Sequence, residues 1–198
     1  MNYLAHIFLS GSNRQLQVGN FIGDFVKGNQ VNNFPDEIRK GIILHRRIDC
    51  FTDSHEVVRE TISLLRPHFG RYSGIVVDMY FDHLLAACFE KYSEDQSLKR
   101  FAANFYFSVI RYYTQLPSRV KGFIWHFIST NRLYRYSSLE GLNESLTIMS
   151  NFKTPAINPE YAIDILKCNY EELTNRFHMF FPDLLNHVTN SEISLDNK

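Results

Sequence analysis

Ser73-Gly74-Ile75-Val76-Val77-Asp78-Met79-Tyr80-Phe81-Asp82-His83-Leu84-Leu85-Ala86-Ala87-Cys88-Phe89-Glu90 is the stretch that decides the fold. Its apolar side chains fall on almost every face at helical spacing, so it predicts a helix over 73–92 that is buried on most sides. Before the closing Glu90, the charge-bearing residues in it are Asp78, Asp82 and His83. Asp78 and Asp82 are one turn apart, about 40° around the helix axis, and His83 lies about 100° further round. A buried carboxylate costs several kcal/mol unless it is paired or bound to a metal. Two carboxylates one turn apart also repel, and a cation between them resolves both problems.

The same oddity recurs upstream. Pro35-Asp36-Glu37 reads as a helix start, with proline suited to the first turn and acids to its positive end. Along the helix predicted from there to Phe51, Ile38, Ile42, His45 and Asp49 form one stripe, so His45 and Asp49 point where a core helix carries leucine. His6 interrupts Leu4-Ala5-His6-Ile7-Phe8-Leu9, and Asp24 interrupts Phe21-Ile22-Gly23-Asp24-Phe25-Val26. Gly19 and Gly23, one turn apart, leave room for another helix to approach closely.

Working outward, Val18, Phe21, Ile22 and Phe25 recur at helical spacing. Thr52 or Asp53 is expected to cap a following helix, broken near Pro67 and Gly70. Further helices are expected over 96–115, 118–130, 138–150 and 159–181, with Pro182 kinking or ending the last. No stretch alternates with period two, so strands are not expected. The reading is an all-α, single-domain helical bundle over 1–188, with a frayed polar tail over 189–198.

Composition agrees. Gly and Pro are scarce, at 9 and 6 of 198 residues, whereas 17 Phe and 11 Tyr supply core. The longest apolar run, Leu84–Phe89, is far short of the roughly 18 residues a spanning helix needs. Three scattered cysteines without CxxC spacing and the absence of a basic leader suggest ordinary thiols in the cytoplasm. Equal numbers of basic and acidic residues, 21 each, exclude a globally basic nucleic-acid binder. Yet 96–139 contains no acid and holds Lys99, Arg100, Arg111, Arg119, Lys121, Arg132 and Arg135. Such a face suits an acidic partner.

Imidazoles and carboxylates together favour Mn, Fe, Mg or Zn over softer metals. Structural pairing of the acids with Arg46 or Arg47 is the competing explanation. Those adjacent arginines equally suit clamping phosphate oxygens. The aromatics interleaved with arginines over 101–125 read chiefly as core.

Four motifs now stand in order: Asn2-Tyr3-Leu4-Ala5-His6; Gly19-Asn20-Phe21-Ile22-Gly23-Asp24-Phe25-Val26-Lys27-Gly28; His45-Arg46-Arg47-Ile48-Asp49-Cys50-Phe51-Thr52-Asp53; and Asp78-Met79-Tyr80-Phe81-Asp82-His83-Leu84-Leu85. In order and spacing they resemble the bacterial acyl carrier protein phosphodiesterases. The resemblance implies an all-helical enzyme, a distorted relative of the HD phosphatases. It implies a divalent metal, typically Mn²⁺, and hydrolysis of the phosphodiester that joins 4′-phosphopantetheine to a serine of acyl carrier protein. An ordinary His-Asp doublet is missing; the adjacent pair here is Asp82-His83, reversed. The expected metal ligands are Asp24, His45, Asp82 and His83. Arg46, His6, Asp49 and Asp78 are expected in catalysis, and Arg47, Arg111, Arg119 and Lys121 in substrate binding. On this reading Asp82→Ala and His83→Ala abolish activity and spare the fold. Two alternatives are a phosphohydrolase of the same fold acting on a nucleotide or other small phosphodiester, and a non-catalytic protein that binds the carrier.

Overall fold

The computed structural model describes residues 1–152 and 157–193. Among these residues there is no strand, and the chain is all-α. The helices are α1 (Tyr3–Phe8), α2 (Arg14–Phe21), α3 (Asp36–Ser54), α4 (Glu56–Phe69), α5 (Ser73–Ala87), α6 (Phe89–Tyr92) and α7 (Leu98–Arg111), then α8 (Ser118–Lys121), α9 (Ile124–Ser129), α10 (Arg132–Arg135), α11 (Leu139–Phe152), α12 (Pro159–Cys168) and α13 (Tyr170–Ile193). None of the described helices is long and apolar enough to cross a membrane.

α5 is the hub. Val76, Val77, Met79, Tyr80, Phe81, Leu84 and Leu85 are at most 3% exposed, as its all-round apolarity requires. It packs against α1, α4, α11 and α13. α2 lies closely along α3. A Cβ on Gly19 would stand 2.0 Å from the Ile38 carbonyl oxygen, and one on Gly41 would stand 2.2 Å from that of Leu16. Glycine at both positions therefore sets the distance between α2 and α3, the helix that carries His45 and Asp49.

Several boundaries differ from expectation. α2 ends at Phe21, and Gly23–Phe25 forms a separate 3₁₀ turn. α3 runs through Thr52 and Asp53 to Ser54, so neither caps α4; His55 joins the two helices. The helix expected over 73–92 breaks at Cys88, whose thiol donates to the Leu84 carbonyl at 2.9 Å. The helix expected over 118–130 breaks after Lys121. That over 159–181 breaks at Asn169, whose side-chain amide donates to the Ile165 carbonyl at 2.8 Å and closes α12. Pro182 lies inside α13 without ending it. An interior proline costs about 3 kcal/mol. Phe177, Phe180, Phe181 and Leu184 around it are all fully buried, at about 1.5–3 kcal/mol each, which outweighs that cost. α13 continues past Thr189 to Ile193; residues 194–198 of the expected tail lie outside the described residues.

Candidate metal centre

His6 sits on α1, and His45 and Asp49 on α3, and the three converge. One ligand atom from each lies within 4.8 Å of the others. The imidazoles stack with centroids 4.0 Å apart. Room for this comes from Gly23, where a Cβ would stand 2.2 Å from the His45 ring. Both histidines are buried, whereas Asp49 and Asp24 keep 37% and 55% of their side chains exposed, so the cluster opens to solvent on the carboxylate side.

Asn20, fully buried on α2, orients both rings. Its side-chain nitrogen donates to the His6 carbonyl (2.7 Å) and to Ser10 Oγ (2.8 Å), which leaves its Oδ1 to accept from His6 Nδ1 at 2.8 Å. Its backbone carbonyl, an obligate acceptor, stands 2.9 Å from His45 Nδ1. Both Nδ1 atoms therefore carry the proton, and both Nε2 atoms are bare in the neutral rings. His6 Nε2 faces Asp49 Oδ1 and the Met1 carbonyl, each at 3.2 Å. His45 Nε2 faces Asp49 Oδ2 at 3.1 Å and Asp24 Oδ1 at 3.3 Å. With neutral imidazoles, lone pairs alone meet in this space, and a proton or a cation must reconcile them. Imidazoles whose far nitrogen is held by a carbonyl oxygen, together with a carboxylate, are the donor set of a divalent metal site.

The protonation pattern of the metal-free cluster follows from the same contacts. Burial lowers His6 to about 4, against the pull of Asp49. For His45 burial acts downward too, but hydrogen bonds and charges from Asp24 and Asp49 prevail and hold it up at about 9. Burial opposes ionisation of Asp49, yet hydrogen bonds from His45 and His6 keep its carboxyl well below the usual range.

Asp78 adjoins the cluster through the Met1 amino group, which is 3.0 Å from Asp78 Oδ1 and 4.0 Å from Asp49 Oδ1. Burial raises the Asp78 carboxyl, and the Met1 ammonium partly offsets the rise.

Asp82 and His83 stand apart from this grouping. Asp82 is fully buried beneath the amino end of α1, accepting from the backbone N–H of Leu4 (2.7 Å), Ala5 (3.2 Å) and Asn2 (3.3 Å). These are orphan donors of a helix start, and the carboxylate is their cap. Burial raises its carboxyl to about 7, with the N–H groups of Leu4 and Ala5 and the Met1 ammonium pulling the other way. His83 Nδ1 donates to the Tyr136 carbonyl at 2.7 Å, and its Nε2 lies 3.4 Å from the Tyr170 hydroxyl. The structure thus brings together Asp24, His45, His6 and Asp49, and gives Asp82 and His83 partners of their own.

Arg46 donates to the carbonyls of Val26 (3.1 Å) and Gly28 (3.4 Å), bracing the segment that follows Asp24. Arg47 is half-buried and, at about 160° from Asp49 around α3, belongs to another face. Arg111, Arg119 and Lys121 lie outside the cluster, at the end of α7 and on α8. The Lys121 ammonium is 5.4 Å from the Tyr113 ring centroid, and Tyr113 packs at 5.6 Å on Trp125, which is 54% exposed. Arg132, from the same acid-free segment, is buried instead, and Phe107 is exposed rather than core. Asn20 and the Met1 amino group are the site groups that sequence reasoning missed. An asparagine within an otherwise apolar helix face was the available signal.

Residues 1–184 match the family model for acyl carrier protein phosphodiesterase. The chain is 27% identical over 193 residues to the Yersinia pestis acyl carrier protein phosphodiesterase, covering 98% of this chain and all of that one. It is 28% identical, with the same coverage, to the Klebsiella pneumoniae (strain 342) protein of that name. With that from Salmonella dublin it shares 30% identity over 185 residues, 93% of this chain and 96% of the relative. No solved structure matches.

Proposed function

The chain belongs to the acyl carrier protein phosphodiesterase family, and on that premise we propose that it hydrolyses the phosphodiester between 4′-phosphopantetheine and a serine of acyl carrier protein. The oxygen of water joins phosphorus, the bond from phosphorus to the serine oxygen breaks, and that oxygen takes a proton. The products are apo carrier protein and 4′-phosphopantetheine.

The convergence of His6 Nε2, His45 Nε2 and Asp49 carries the metal-dependent part of this reading. These three, with Asp24 at the open side, would hold a divalent cation, Mn²⁺ being our choice. Such an ion lowers the pKa of a bound water and polarises phosphoryl oxygens. Asn20 fixes both imidazole tautomers, so the Nε2 lone pairs are presented without reorganisation. Asp78, 35% exposed, is the carboxylate left to accept a proton beside those that would hold the ion. Arg46 holds the turn that carries Asp24 and lies about 60° from Asp49 around α3, near enough for its remaining N–H groups to meet phosphate. Arg111 and Arg119, both exposed, and the half-buried Lys121 would meet an acidic carrier protein.

The test is intact-mass analysis of holo carrier protein incubated with the protein and Mn²⁺, with and without chelator. Conversion to the apo mass, dependent on added metal, is expected. Unchanged holo carrier with Mn²⁺ present would overturn the activity. Full conversion after rigorous metal removal would overturn the metal dependence.

A further inference from the structure

The structure holds a recess of about 370 Å³. Asn2, Phe25 and Met79 on its wall are the chain neighbours of Met1, Asp24 and Asp78. Phe123, Phe127 and Met149 make the wall predominantly apolar.

Arg132 also lines this recess, and it is only 5% exposed. Its Nη1 donates to Ser145 Oγ at 2.9 Å, and among the described residues no carboxylate forms an ion pair with it. A guanidinium has five N–H donors and no acceptor. Ser145 takes one of those donors. The recess therefore joins an apolar wall to a guanidinium with further N–H groups, an arrangement that orients a small ligand by its acceptors.

We infer that this recess receives the distal end of the pantetheine arm, its carbonyl-bearing portion and the first carbons of an attached acyl chain, with Arg132 donating to a carbonyl oxygen. The inference rests on the proposed activity, since it takes the phosphate end of the same arm to lie at the His6–His45–Asp49 cluster. One molecule with an anionic end, carbonyl oxygens at intervals and an apolar tail matches the sequence of surfaces from cluster to recess. The basic face continues into it: Lys121 on α8 is followed directly by Gly122 and Phe123 of the recess wall. The volume lies near the low end of the roughly 300–1,000 Å³ of small-molecule sites. A short acyl chain fills it, and a long one must emerge past the exposed His126 on its rim.

The test uses S-octanoyl-pantetheine, which lacks the phosphate and needs neither metal nor hydrolysis to bind. Titration calorimetry on the full chain should show saturable binding, weakened about tenfold or more in Arg132→Gln, equivalent to about 1.4 kcal/mol, and partly restored in Arg132→Lys. Met149→Trp alters a half-buried wall residue and guards against a folding defect in the arginine variants. It should block binding and raise KM for octanoyl carrier protein more than for the unacylated holo form. Unchanged binding in folded Arg132→Gln and Met149→Trp would overturn the inference. So would binding of octanoate with none of octanoyl-pantetheine, which would make Arg132 a carboxylate anchor. Failure of the wild-type protein to release 4′-phosphopantetheine would instead overturn the proposed activity, and the titration would still judge the recess separately.

Discussion

Two places in this molecule set a histidine and an aspartate on the buried side of a helix. At Asp82 and His83 every strong polar atom meets its complement: three backbone N–H groups for the carboxylate, and a carbonyl and a hydroxyl for the imidazole. At His6, His45 and Asp49 the outer nitrogens are equally well held, but the inner atoms offer lone pairs to one another. The residue types are the same and the chemistry is opposite. Burial of ionisable groups does not by itself mark a site; a buried set of acceptors that only a cation or a proton can reconcile does.

The comparison breaks most sharply by mutation of its carboxylates. Asp49→Asn keeps the shape and removes the charge shared by both imidazoles. Activity should fall about a thousandfold or more, equivalent to about 4 kcal/mol of transition-state stabilisation. The circular-dichroism spectrum should be unchanged, and near-normal turnover would remove Asp49 from the centre. Asp82→Ala should act on stability instead. It strands three N–H groups at the start of α1, and a buried donor left without an acceptor costs roughly 1–3 kcal/mol. Urea unfolding of the metal-free protein should show a loss of about 4 kcal/mol. An unchanged or raised midpoint would restore the sequence-level expectation that this residue is dispensable to the fold.

A smaller effect separates the two places by pH. In chelator, His45 titrates near 9 rather than near 6.5. A histidine raised by folding contributes stability that is complete below its unfolded pKa and is lost as pH rises through the folded value. The metal-free protein should therefore lose up to about 3 kcal/mol between pH 6.5 and 9, and His45→Gln should flatten that slope. A slope that persists in the variant would place the titration elsewhere.

Much of this was legible in the sequence. Apolar periodicity located α3, α5, α7 and α11, and the scarcity of glycine and proline pointed to an all-α fold. The polar interruptions at His6, Asp24, His45 and Asp49 were visible as residues out of place, and Gly19 and Gly23 as points of close approach. Which of those residues meet was not legible. Asp82 repeats the pattern of Asp49, and what distinguishes it is the amino end of α1, brought beneath it from nearly eighty residues away in the chain. Arg46 illustrates the same limit, since its bonds to Val26 and Gly28 depend on the turn after Asp24. The breaks fall where the backbone of Cys88 and Asn169 leaves the helical region, and Pro182 is tolerated because the aromatic residues around it are packed. Neither effect leaves a periodicity signal.

Metal content decides whether a cation is held by His6, His45 and Asp49 or by Asp82 and His83. The wild-type, His45→Ala and His83→Gln proteins should be purified in parallel, loaded with Mn²⁺, passed through a desalting column and assayed by inductively coupled plasma mass spectrometry. Glutamine at position 83 can still donate toward the Tyr136 carbonyl. Equal metal is expected in the wild-type and His83→Gln proteins and a loss in His45→Ala. Retained metal in His45→Ala, with loss in a folded His83→Gln, would contradict that expectation.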